Sequence, residues 1–124
     1  SGFVFEIVKD RSSTLHEMIN ESKNFLNSIN FTNKDFEIIN STNSQCMYKY
    51  IQDNFNSINF ISLNDIANFV DKISVELQIK GKDLFFPLRL AIYGECKGPE
   101  IPKIIQALGY DLTKERIERV LKSV

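Results

Sequence analysis

One histidine, two cysteines, three prolines and no run of apolar residues long enough to cross a membrane: what this 124-residue chain lacks already excludes several classes of protein. A hydrolase or transferase needs a converging nucleophile, base and electrophile, and the single histidine, His16, stands beside the apolar stripe of a helix, where it reads as a surface or packing residue. Cys46 and Cys96 lie fifty residues apart without CxxC spacing, so neither a zinc site nor a disulfide framework is indicated, and a reducing interior fits both thiols. No GxxxxGK[ST], GxGxxG or HExxH occurs. We therefore expect no catalytic residue and no metal ligand set. The net charge of −1 and the pI of about 5.8 exclude a protein that holds nucleic acid by bulk positive charge, so any such contact has to be local. No stretch of period two is long enough to demand a sheet, and no internal repeat or low-complexity segment is visible.

What is present describes a globular chain. Hydrophobic residues make up 43% and charged residues 25%, enough apolar surface to offset the ordering entropy of one domain or two small subdomains. The twelve asparagines read as genome bias more than chemistry. Ser1-Gly2 reads as a cloning remnant, and the chain is expected to be a piece of something longer. Leu15, Met18, Ile19, Phe25, Leu26 and Ile29 recur at helical spacing after a Thr14-x-x-Glu17 capping box. The same spacing returns in Tyr48, Ile51, Phe55 and Ile58, and again in Ile66, Phe69, Val70, Ile73 and Leu77 after Ser62-x-x-Asp65. Between the first and second of these helices, NFTNKDF and INSTNS read as polar punctuation. Gly81 is expected to end the third helix in a left-handed cap, and Pro87 and Pro102 to occupy the first turns of the next two. Gly94, Gly98 and Pro99 form a tight loop, Gly109 is expected to stop a helix, and Thr113 to cap a final one whose Ile117, Val120, Leu121 and Val124 face the core. The fold expected is an all-α bundle of about seven or eight short helices.

Chemistry concentrates in KGKDLFFPLRLAIYGECKGPEIPKIIQALG, residues 80 to 109, which holds all three prolines, four of the five glycines and a local charge of +2. Leu84, Leu88, Ala91 and Ile92 are expected to point inward and Arg89 elsewhere, as a planar donor fork suited to a base edge or a phosphate. Phe85 or Phe86 and the pair Pro99 and Ile101 would offer apolar faces for unstacked bases, and the start of the next helix would present backbone amides. Two readings stay open on the residues alone: RNA binding, and a helical protein-interaction module that docks a partner through the 84–109 hairpin.

That same stretch resembles the C-terminal signature of bacterial-type glutamyl-tRNA synthetases, a KGK-x-LF-x-PLR-x-A-x-x-G run followed by a GPE-type loop and an LG helix end. IVKDRSSTLHEM and the closing ERIERVL are similar to that family as well, and the resemblance extends over nearly the whole chain, least in the asparagine-rich 30–62 region. The family's HIGH and KMSKS catalytic signatures do not occur. The resemblance implies a helical anticodon-binding domain in two subdomains, a partial one at 1–80 and a C-terminal one at 81–124. It implies the anticodon loop of glutamate tRNA as partner, a monomer, a cytoplasmic location and no cofactor in this chain. ATP and Mg would serve the full-length ligase. Residue by residue, it assigns anticodon contact to Arg89, to Gly98, Pro99, Ile101 and Pro102 in the loop and helix start, and to Phe86 just before PLR. Arg11 falls at the basic position that reads the third anticodon base, where an arginine implies a strict reader of glutamate tRNA. Tyr93, where the family usually has threonine, departs from the pattern, as do Glu95 and Cys96 in the loop and Asp71, where some members carry a basic contact.

Overall fold

The computed structural model describes residues 31–121. They form α1 (Asn33–Asn40), α2 (Thr42–Asp53), a 3-10 turn (Phe55–Ser57), α3 (Leu63–Leu77), α4 (Lys82–Tyr93) and α5 (Ile101–Val120), with no strand among the described residues. The protein is all-α, as its periodicity requires. Among the described residues there are five helices, against the seven or eight expected of the whole chain. Gly109, where φ is 78° and ψ is −176°, breaks α5 into two helical stretches across a kink, the stop expected of it, and the second stretch has already begun before Thr113. Thr113 consequently lies inside a helical run and does not cap it; its hydroxyl is buried and makes no hydrogen bond. The expected helix after Thr14, with Arg11 and His16, lies outside the described residues, as does Val124.

Helix α1 occupies sequence that reads as punctuation. Thr32 accepts from the Asp35 amide at 3.1 Å while the Asp35 carboxylate accepts from the Thr32 amide at 3.0 Å, a reciprocal capping box that starts the helix despite its polar composition. Ser41 then both closes α1 and caps α2, accepting from the Ser44 amide at 3.2 Å. Ser62 caps α3 as expected, accepting from the Asp65 amide at 3.2 Å. The Asp65 carboxylate accepts from Asn59 at 3.0 Å.

The end of α3 corrects the role expected of Gly81. Gln78 takes the left-handed cap, with φ 54° and ψ 43°, and the Ile79 amide returns to the Ser74 carbonyl at 3.2 Å, which buries the Ile79 side chain. Gly81 lies three residues on as the N-cap of α4, with φ 62° and ψ −137°, a region open to glycine and closed to residues bearing a Cβ. Because α4 begins there, Pro87 is its sixth residue and not a first-turn proline. Pro102 does sit in the first turn of α5.

One hydrophobic cluster draws on residues from both sides of position 80, among them Met47, Tyr48, Ile66, Ile73, Leu88, Ile92, Ile104 and Ile117. Helix α5 packs against α4, α3 and α2, and α1 packs against α4 and α2, so α4 is gripped on its inner side along its length. Its expected inward residues Leu84, Leu88, Ala91 and Ile92 are all buried. Two polar ties fix α4 further. The Tyr48 hydroxyl donates to the Pro87 carbonyl at 2.7 Å in the interior, and Arg116 Nη1 donates to the Ile92 carbonyl at 2.7 Å, at the end of the helix where its dipole favours a cation.

Candidate nucleic-acid interface

With one side of α4 in the core, the other is left to solvent, and helical spacing decides what it displays. Lys82, Phe85, Arg89 and Tyr93 follow one another at three or four residues along that outer side, with Phe86 on its flank beside Lys82. The Lys82 ammonium stands 6.0 Å from the Phe86 ring centre, and the Arg89 guanidinium 5.9 Å from that of Phe85. Cations alternate with aromatic rings, the composition that binds unstacked bases without a strongly basic chain.

Arg89 is held. Its Nε donates to the Pro99 carbonyl at 3.1 Å, so the loop of residues 94–100 folds back on the helix it leaves. The Nη groups make no hydrogen bond to any described residue. A guanidinium fixed through Nε presents its two Nη donors as a pre-oriented pair, the geometry that reads an edge with paired acceptors. Gly94 caps α4 in a left-handed turn, its amide reaching the Arg89 and Leu90 carbonyls at 3.0 and 3.2 Å.

Of the residues assigned from sequence, the structure brings Arg89 and Pro99 into contact and leaves Gly98 exposed beside them. Phe86 is half-buried and turned to the other flank of α4. There it lines a recess of about 340 Å³ with Glu37, Ile38, Ser41, Asn43, Lys82 and Asp83. Pro102 is half-buried at the start of α5. Ile101 requires correction as a packing surface: it is 2% exposed, because it opens the buried row continued by Ile104, Ile105 and Leu108. The expected set of free amides at the α5 start is also largely absent. Pro102 has no amide proton, and the amides of Lys103 and Ile104 both donate to the Glu100 carbonyl at 3.1 Å.

Three further residues shape this region; of them only Phe85, named from sequence as an alternative to Phe86, had been considered as a platform for bases. Phe85, 39% exposed, is the ring beside Arg89, a position the i, i+4 spacing could have given. Tyr93 enters the site through its contact with the loop, and no local pattern signals that. Arg116 is 2% exposed in the outer half of α5, its charged form disfavoured by burial and partly restored by Glu115. Among the described residues no group of three or more His, Cys, Asp or Glu side chains could hold a metal ion.

The outer side of α4 and the loop after it thus bring together a held arginine, aromatic rings and a glycine–proline turn. The chain belongs to the anticodon binding domain family, whose model matches residues 3–121. It is 29% identical over 122 residues to glutamate–tRNA ligase 2 of Caldanaerobacter subterraneus subsp. tengcongensis, covering 98% of this chain and 25% of that protein. It is 31% identical over 124 residues to the glutamate–tRNA ligase of a Sulfurihydrogenibium species, covering 96% and 25%. With glutamate–tRNA ligase 1 of Thermoanaerobacter pseudethanolicus the identity is 27% over 122 residues, covering 98% and 25%. The chain spans about a quarter of the length of these relatives. No solved structure gives a significant match. No described helix is long and apolar enough to cross a membrane.

Proposed function

We propose that this chain reads the anticodon bases of glutamate tRNA as the anticodon-binding part of a glutamate–tRNA ligase. The observation that carries the reading is Arg89, fixed by the Pro99 carbonyl through Nε, half-exposed and 5.9 Å from the Phe85 ring centre. An unstacked base resting on that ring would gain about 1–3 kcal/mol. The Nη pair would then meet acceptors on the neighbouring base, and a wrong base would leave those donors unpaired. Gly98, Pro99 and Pro102 would line the path of the loop, Phe86 would add a contact from its recess, and Arg11 would read the third base and make the enzyme strict for glutamate tRNA. Residues 1–80 and 81–124 would act as two helical subdomains of this one reader.

The chain itself does no chemistry in this reading. Attachment of glutamate, with ATP and Mg, belongs to a catalytic part bearing the HIGH and KMSKS signatures, which this sequence does not contain. The protein would work as a monomer in the cytoplasm.

The test is a titration of the protein with a glutamate anticodon stem-loop and with one altered at the third base. A preference for the first, lost in Arg11→Ala, and an affinity reduced about tenfold or more in Arg89→Ala are the expected results. Equal binding of both stem-loops, or an Arg89→Ala protein that folds and binds RNA unchanged, would overturn base readout and leave the hairpin as a protein-docking surface.

A further inference from the structure

Gly98 and Tyr93 meet where the 94–100 loop folds back over α4. A Cβ placed on Gly98 would stand 2.5 Å from Tyr93 Cε2, 2.9 Å from Cδ2 and 3.3 Å from Cζ. Distances below 3.0 Å require either the ring or the loop backbone to move. The glycines with positive φ are Gly81, Gly94 and Gly109, so Gly98 is not demanded by its backbone torsion. What this position needs is the absence of a side chain.

The next residue of the loop is Pro99, whose carbonyl accepts from Arg89 Nε. Arg89 and Tyr93 are one helical turn apart on α4, so a single side of the helix engages two successive loop residues, the ring against Gly98 and the guanidinium against Pro99. The ring sets the height of the loop above the helix, and that height sets the Nε hydrogen bond. Raise the loop by a methyl group and the Pro99 carbonyl leaves the reach of Nε, since such bonds span about 2.7–3.2 Å and this one already stands at 3.1 Å. Arg89 then regains its rotamers, and the Nη pair no longer has one direction.

We propose that Tyr93 is a positioning residue for RNA reading: its ring is the bed on which Gly98 lies, and through Pro99 that bed aims Arg89. Gly98 serves by leaving room for the ring and not by touching RNA, which changes the role its sequence assignment implies. The RNA consequence rests on the function proposed above; the loop contact stands without it.

A double-mutant cycle of Gly98→Ala, Tyr93→Ala and the pair tests this with two readouts, affinity for the glutamate anticodon stem-loop and solvent protection of the Arg89 Nε–H in nitrogen-15 NMR spectra. Gly98→Ala alone is expected to weaken binding about tenfold and to abolish the protection. Added to Tyr93→Ala, the same change is expected to alter affinity by less than about twofold and the Nε signal not at all, because the obstacle is gone. If Tyr93→Ala does not fold, Tyr93→Leu, apolar but without the ring, replaces it in the cycle. An equal loss from Gly98→Ala in both backgrounds would overturn the proposal and place Gly98 against RNA. So would a binding loss that leaves the Nε protection intact. Should the unaltered protein bind no stem-loop, the functional reading fails, and the Nε signal across the four proteins still decides the loop contact.

Discussion

Single residues here carry loads that their neighbours cannot share. Gly81 holds φ 62° and ψ −137°, and a Cβ there would meet no atom within 4 Å, so replacement raises a purely conformational objection. Gly81→Ala is expected to lower stability by about 1–3 kcal/mol in urea unfolding, with the midpoint shifted and the slope unchanged. Tyr48 shows the polar counterpart. Burial pushes its phenol well above the ordinary tyrosine value, with Cys96 adding to the shift, and its proton is given to the Pro87 carbonyl. Because the folded value is raised, the unfolded chain loses this proton first as the solution becomes alkaline, at about pH 10. The stabilisation is therefore complete below that pH and falls as pH rises from there toward the folded value. Unfolding midpoints between pH 8 and 11 should decline above pH 10, less so in Tyr48→Phe, whose own cost at neutral pH should be about 1–2 kcal/mol from the unpaired carbonyl.

Among the elements, α4 carries the proposed interface, and its two ends are set by different means. The beginning rests on Gly81, legible in the sequence as a glycine that something needed, although the need proved to be at the start of α4 and not at the end of α3. The far end rests on Arg116, from a helix more than twenty residues away in sequence, donating to the Ile92 carbonyl. Arg116→Ala is expected to destabilise by about 1.5–3 kcal/mol. It should also speed amide exchange at Tyr93 and Gly94, the last turn of α4, before other helices respond. If exchange rises evenly over the protein, the arginine is a general core tie and not a support for the loop. Helix α1 gives the opposite lesson about legibility. Its Thr32-x-x-Asp35 capping box is as plain as the ones read at Thr14 and Ser62, but asparagine-rich surroundings masked a helix whose single buried residue, Ile39, offers almost no periodicity.

At the scale of the whole molecule, charge sets the style of binding. A chain of net charge −1 with a local excess of +2 over residues 80–109 can neutralise few phosphates. The logarithm of the stem-loop affinity should fall against the logarithm of salt concentration with a slope between about −1 and −2, measured from low to physiological salt. A much steeper slope would show that phosphate contact, and not the Arg89 face, supplies the binding.

The sequence by itself determined the helical class, the inward row of α4, the proline at the start of α5 and the placing of Arg89 away from the core row of its helix. Each of these follows from local preference or from spacing along one helix, which neighbouring residues fix among themselves. Tertiary structure alone decided that Ile101 is core and that Phe86 turns to a recess. It also decided that Tyr93 beds the loop and that Arg116 reaches the end of α4. Those outcomes depend on which side of a helix its neighbours cover and on contacts between residues distant in the chain, and packing settles both only when the helices come together.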